Sequence, residues 1–259
     1  MATSFDFSGQ HVCVTGASRG IGLAVAQAFA AAGAHVWVVA EDTSVVQAAN
    51  EMTAATGARV QGLRCDVADQ SAVQQAFEGI GTLDVLINNA GIELPTPVEE
   101  SHSAIDDAFR RIMEVNVMGT WWVTRAAVPL MNSGGRILIT SSIWGRTAVP
   151  GFAAYVASKH ALIGLVRTLS QELGPRSIRV NAICPGWVRT EASLRSLAVM
   201  AQKRGISEEA LTEEIAAGQS LEGLMEPADV AGLYLYLASE SAANITGQAI
   251  PIDRGEVMA

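Results

Sequence analysis

The sequence is short of charge, and what charge it carries is unbalanced. Charged side chains make up 17% of its 259 residues, with 17 Lys and Arg against 26 Asp and Glu, for a formal net charge of −9. So acidic a chain opposes binding to nucleic acid or to an anionic membrane surface. Cysteine is scarce too. Cys13, Cys65 and Cys184 each lie in an apolar, strand-like run with no short-range partner, the pattern of buried free thiols in a reducing cytoplasm. Four scattered histidines leave no metal-ligand spacing, so no metal site is expected. A long apolar run is also missing: the most apolar stretch, 23–40, is interrupted by Gln27, Gly33 and His35 and reads as helix, turn and strand rather than a membrane span. Asp6 and Gln10 occupy a start that a secretory leader would fill with charged and then apolar residues, so no leader is expected. Repeats, linkers and low-complexity segments are lacking, and a single domain over residues 1–259 is expected. The partners left are small molecules and copies of the same chain.

What is present is apolar material, 49% of the residues, in a regular alternation. Short apolar, β-branched runs at 10–15, 35–39, 59–64, 84–87, 136–140, 178–183 and 248–252 predict seven strands. Helical patterns lie between them at 23–32, 45–55, 70–78, 105–131, from before Tyr155 to about 173, and 227–237. Strand and helix in alternation predict a parallel, doubly wound α/β sheet with helices on both faces. In such sheets ligands bind beyond the carboxyl ends of the strands. Gly16, Glu41, Asp66, Asn89, Ser142 and Pro185 all stand at predicted strand ends. The stretch 190–226 is helix-prone and charged, without a strand signal, and reads as a mobile helical flap over the pocket.

The first predicted strand runs into Gly16-Ala17-Ser18-Arg19-Gly20-Ile21-Gly22 and then a helix. Glycines at that junction let backbone amides and the positive helix end approach a pyrophosphate. The spacing Gly-x-x-x-Gly-x-Gly departs from the common Gly-x-Gly-x-x-Gly form. About twenty residues on, Glu41 and Asp42 follow the second strand, the place where a carboxylate accepts from an adenosine ribose and repels a 2′-phosphate. They favour NAD, while Arg19 in the glycine loop argues for NADP; alternatively, either acid caps the helix near Thr43. Asp66, followed by Val67, is placed to meet the adenine amine. Asn88-Asn89-Ala90-Gly91 forms a loop of small amide residues suited to lie flat against a cofactor, or simply a turn.

Tyr155-Val156-Ala157-Ser158-Lys159 sets a phenol and an ammonium four residues apart on one helix face. A tyrosine of ordinary pKa is about one part in a thousand ionised at neutral pH, so using it as a base costs roughly 4 kcal/mol, which a fixed lysine charge reduces. Ser142 follows a strand end over the same pocket. Asn116, in the middle of a helical pattern, predicts an opened turn that holds a water near the lysine.

With Gly16 to Gly22, Asn88 to Gly91, Ser142 and Tyr155-x-x-x-Lys159 in this order, the sequence resembles the short-chain dehydrogenase/reductase family over essentially its full length. The resemblance implies a Rossmann-type fold and hydride transfer between a nicotinamide and an alcohol or carbonyl carbon. Carried over, Tyr155 is the general acid/base, Ser142 binds the reacting oxygen, Lys159 binds the nicotinamide ribose and lowers the tyrosine pKa, and Asn116 supports a proton relay. It implies cofactor contacts at Gly16, Ser18, Arg19, Gly20, Ile21, Gly22, Glu41, Asp66, Val67, Asn89, Tyr155, Lys159, Pro185, Gly186, Val188 and Thr190. It also implies a homotetramer, with Trp121 and Trp122 near an interface. Within the family, 181–190 and 243–247 look closest to 3-hydroxybutyrate dehydrogenases. Their polar and basic clamp on a small carboxylate is replaced here by Leu94, Trp144 and Phe152. With Trp187, these are the expected walls of a pocket for an aromatic, cyclic or sugar-like alcohol, with Arg146 or Arg189 left as sites for an anion. The alternatives are an NADP-dependent 3-oxoacyl thioester reductase, whose basic carrier-docking patch is absent at 131–135 and 171–172, and a non-catalytic dinucleotide-binding protein. Asp253-Arg254-Gly255 stands where the family usually has Asp-Gly-Gly.

Overall fold

The computed structural model describes residues 5–100 and 102–258. In chain order the elements are β1 (His11–Thr15), α1 (Gly20–Ala31), β2 (His35–Ala40), α2 (Ser44–Thr56), β3 (Val60–Arg64), α3 (Gln70–Glu78), β4 (Leu83–Asn88), α4 (Ser103–Met113), α5 (Thr120–Ala127), β5 (Met131–Thr140), α6 (Ala153–Leu173), β6 (Arg179–Pro185), α7 (Glu191–Arg204), α8 (Glu208–Ala217), α9 (Pro227–Ala238) and β7 (Ala249–Ile252). The seven strands form one parallel sheet in the order β3-β2-β1-β4-β5-β6-β7. Near-continuous apolar runs such as Val36–Val39 suit strands covered on both faces.

Two apolar layers sandwich the sheet. One packs Val12, Val14, Val36 and Val38 against α1, α2 and α9, with Phe7 and Phe29 edge to face at 4.8 Å. The other packs Cys13, Leu86, Ile137 and Ile139 against α3, α5 and α6. All three cysteines are buried and free. A third, smaller cluster of Trp187, Leu197, Ala201 and Leu211 lies under α7 and α8. The helical flap therefore has its own core, and its end is tied to the segment after β6 by the Val188↔Met225 bridge.

The stretch 105–131, expected as a helix, is helical to Leu130 but not α-helical throughout. α4 stops at Met113, the segment Glu114–Gly119 is wound as a π-helix, and α5 ends at Ala127 before a 3₁₀ turn at Val128–Leu130. Asn116 explains the first break: it is fully buried, and its amide brackets Ile92, accepting from Ile92 N at 2.8 Å and donating to Ile92 O at 3.0 Å. Pro129, which has no N–H, sits at the second, and Arg176 donates to Val128 O and Met131 O there. β5 consequently begins at Met131, with a register irregularity against β4.

Arg254 accounts for the unusual Asp253-Arg254-Gly255. It takes φ +56, the region glycine favours, and its guanidinium holds Glu222 O at 2.7 Å. Ser220 N and Leu221 N donate to its carbonyl, so the residue that replaces glycine also anchors the end of the flap.

Candidate functional site

β1 and β4 are neighbours in the sheet but lie far apart in sequence, so the chain diverges there and leaves a crevice at their carboxyl ends. Thr15, the last residue of β1, fastens that crevice. Its hydroxyl accepts from Asn89 N at 3.0 Å and Ala90 N at 3.1 Å. The Asn89 amide donates in turn to Thr15 O and Gly16 O, and its Oδ1 accepts from the Thr140 hydroxyl at 3.2 Å. One side chain thus ties the ends of β1, β4 and β5 together. The glycine loop lies on this support with no room to spare. A Cβ on Gly16 would sit 2.7 Å from Ala90 Cα, and one on Gly22 only 2.2 Å from Gly16 O.

The cavity above, of about 310 Å³, is lined by Gly16, Ser18, Arg19, Gly20, Ile21, Glu41, Asp66, Val67 and Asn89. On its other side stand Ser142, Trp144, Tyr155, Lys159, Pro185, Gly186, Trp187, Val188 and Thr190. These are eighteen of the expected positions; the other four do not line the cavity. Gly22 lies beneath the loop, against Gly16 and Asn89. Asn116 is behind the wall, holding Ile92 and donating to Ser158 Oγ at 3.0 Å. Phe152 is buried behind Trp144, with ring centroids 5.6 Å apart. Leu94 is 41% exposed and points away; its neighbour Glu93 lines the cavity instead. In a loop without a repeating pattern, nothing in the sequence says which of two adjacent side chains turns inward.

The two acids after β2 diverge. Asp42 lies toward the glycine loop, where Ser18 Oγ donates to it at 2.8 Å and Arg19 approaches to 3.6 Å. Hydrogen bonds from Ser44, and then from Ser18 and the charge of Arg19, hold its carboxyl below the usual range against its partial burial. Glu41 instead faces Arg111 at 3.6 Å, and that guanidinium also donates to Asp66 at 2.9 Å. Arg111, from the end of α4, carried no sequence signal as a site residue. Arg19 has a second acid nearby, Glu191 at 4.0 Å.

The Tyr155 end is built by close packing of α6 on the turn Ile143–Gly145. A Cβ on Gly145 would lie 2.4 Å from Ser141 Oγ and 2.8 Å from Lys159 O. Ser141 Oγ donates to Lys159 O at 2.9 Å, and Ser142 Oγ accepts from Trp144 N at 3.1 Å. Lys159 is 4% exposed, with Nζ 2.9 Å from Thr140 O and 5.3 Å from the centre of the Tyr155 ring. Burial pushes its pKa down to about 8, against the pull of Glu93. Burial and the Glu93 charge push the Tyr155 phenol well above its ordinary pKa, opposed by the Ser142 hydroxyl. Lys159 is not among the groups that lower it. The ammonium is turned to Thr140 O and lies over the ring rather than at the hydroxyl.

Arg146 and Arg189 do not reach the cavity: the first donates to Ala249 O and the second is exposed and paired with Glu226 at 3.0 Å. Arg195 of α7 lines it in their place, paired with Glu191 at 2.7 Å.

A family model described as enoyl-(acyl carrier protein) reductase matches residues 16–256. The chain is also 35% identical to D-beta-hydroxybutyrate dehydrogenase of Rhizobium meliloti, over 73% of each chain. The chain belongs to the short-chain dehydrogenase/reductase family. Among solved members of that family, L-sorbose reductase of Gluconobacter frateurii, in complex with NADPH and L-sorbose, aligns with a TM-score of 0.89 at 29% identity, over 98% of each chain. A 3-oxoacyl-[acyl-carrier protein] reductase of Brucella melitensis with bound NAD aligns with a TM-score of 0.83 at 32% identity, over 97% of this chain and 92% of that one. As a short-chain dehydrogenase/reductase the protein is an oxidoreductase that uses a nicotinamide cofactor. The residues present suit that group: the glycine loop leaves a cradle that a Cβ would fill, and the strand ends beside it carry carboxylates and amides.

Proposed function

We propose that the protein interconverts a secondary alcohol and a ketone on an aromatic, cyclic or sugar-like substrate, with NAD preferred over NADP. The observation that carries this reading is the convergence of Ser142, Tyr155 and Lys159 on one cavity that also contains the glycine loop. When bound, the nicotinamide supplies the hydride acceptor or donor. Ser142 holds the reacting oxygen and Tyr155 exchanges a proton with it, as an acid toward a ketone and as a base in the reverse direction. Lys159 binds the nicotinamide ribose, and Asn116 keeps the Gly91-Ile92 backbone in place beside the lysine, since a Cβ on Gly91 would lie 3.2 Å from Asn116 Oδ1 and 3.5 Å from Lys159 Nζ. Ser18, Arg19, Ile21, Asp66, Val67, Pro185, Gly186, Val188 and Thr190 line the rest of the cofactor's path.

NAD is favoured because Arg19 is already countered by Asp42 and Glu191, and a carboxylate over the glycine loop repels a 2′-phosphate. Trp144 and Trp187, edge to face at 5.6 Å, wall the substrate end, where Arg195 is already paired with Glu191 at 2.7 Å. The buried thiols suit a reducing cytoplasm, and no helix among the described residues is long and apolar enough to cross a membrane. The same reading includes a homotetramer, the assembly expected from the resemblance to the family. A second reading, reduction of a 3-oxoacyl thioester, is favoured by the likeness to the Brucella reductase.

The test is oxidation of a panel of cyclic alcohols and polyols, and reduction of acetoacetyl thioester, with both cofactors. Tyr155→Phe should remove turnover while leaving NADH affinity within a few-fold, because the phenol alone donates the proton but is one of many contacts to the dinucleotide. Turnover surviving in that variant would sink the assignment, and a preference for the thioester would select the second reading.

A further inference from the structure

The proposed acid/base chemistry leaves the Glu93 carboxyl of the cavity unused. Glu93 enters from the loop after β4 and lines the cavity with Ser142, Trp144, Tyr155 and Trp187. The nearby cations are engaged elsewhere: Arg195 with Glu191 at 2.7 Å, and Lys159 with Thr140 O at 2.9 Å. Ser196 of α7 is the hydrogen-bonding side chain beside it, and burial raises its carboxyl pKa against the effects of Ser196, Lys159 and Arg195. A half-buried carboxyl among two indoles and a phenol bears a desolvation cost that one serine does not offset. Its charge also reaches the reacting phenol. Whatever occupies the space between Glu93 and Tyr155 is therefore held by an acid at one end and a proton donor at the other.

We propose that Glu93 is a specificity-determining residue, accepting a hydrogen bond from a second donor group on the substrate, a hydroxyl or an ammonium, carried near the reacting carbon. This rests on the alcohol and ketone reading above and narrows it. Polyols, hydroxyketones and amino alcohols satisfy the carboxyl; plain alcohols leave it with Ser196 alone, and carboxylate substrates are repelled by it. An ammonium would gain in addition from the faces of Trp144 and Trp187.

The experiment compares kcat/KM for cyclohexanol, cis-cyclohexane-1,2-diol and cis-2-aminocyclohexanol in the wild-type protein, Glu93→Gln and Glu93→Leu. NADH binding checks that each variant is folded. One hydrogen bond to a charged acceptor corresponds to a preference of about 10- to 100-fold for the donor-bearing substrate over cyclohexanol. Glu93→Leu should bring that ratio close to one. Glu93→Gln separates the two sources of the donor: it still accepts from a hydroxyl and keeps most of a diol preference, but loses a preference for the ammonium. Equal kcat/KM for cyclohexanol and both analogues in the wild type, or a ratio unmoved by Glu93→Leu, overturns the inference and leaves the alcohol reading standing. Failure to turn over any of the three with either cofactor overturns both.

Discussion

Gly22 offers a sharp test of how the cofactor loop is supported. It lies inside α1, where alanine ordinarily stabilises a helix by about 1 kcal/mol over glycine. Here the added methyl would sit 2.2 Å from Gly16 O and 2.5 Å from the Asn89 amide. Both are far inside normal contact, and neither neighbour is free to move. The carbonyl belongs to the glycine loop, and Asn89 is fastened to Thr15, Gly16 and Thr140. Overpacking of this kind costs about 1–3 kcal/mol, and the rigid neighbours put Gly22 at the upper end. After the propensity gain, Gly22→Ala should lose about 1–2 kcal/mol in urea unfolding. Because relief requires the glycine loop to move, NADH affinity should fall at least about tenfold, the equivalent of 1.4 kcal/mol. Gly232 in α9 is the control: it is exposed and its Cβ would meet nothing within 4 Å, so Gly232→Ala should gain about 0.5–1 kcal/mol and leave NADH binding alone. Wild-type stability and NADH affinity in Gly22→Ala would refute the close-packed account of the loop.

Two further outcomes follow from charges at the site. Asp42→Ala removes the carboxylate beside the glycine loop and frees Arg19, so NADPH should bind at least about tenfold tighter relative to NADH, read as a change in Trp144 and Trp187 fluorescence; an unchanged ratio would show that Asp42 does not face the ribose. Burial lowers the Lys159 pKa from 10.5 to about 8, so between these values the unfolded chain binds a proton that the folded protein has released. The lysine's contribution to stability therefore rises with pH through that window, while below it the full cost of burying the ammonium remains. The unfolding free energy of the wild type minus that of Lys159→Met should rise from pH 8 to pH 10, and a flat difference would contradict the shift.

Much of the architecture was legible because its signals are local. Apolar runs between turn residues mark all seven strands, and parallel strands buried on both faces must be apolar throughout, as Val36–Val39 are. Gly16, Asn89, Ser142, Tyr155 and Lys159 were readable because the strand ends and one helix turn that carry them are set by that same pattern. The break at Asn116 was foreseeable from its poor fit to a helix, although the extent of the π-helix and the early start of β5 depend on Ile92 and Arg176, partners remote in sequence. Tertiary structure alone decided the rest. The strand order brings β1 beside β4 and so creates the crevice; Arg111 reaches Glu41 and Asp66 from the far end of α4; and Gly145 permits the contact that aligns α6 with Ser142. The loop after β4 turns Glu93 inward and Leu94 out, and a loop has no period from which to read that choice. Periodic patterns report which face of an element is buried, whereas the chemistry of this pocket depends on single side chains whose directions are set by neighbours distant in the chain.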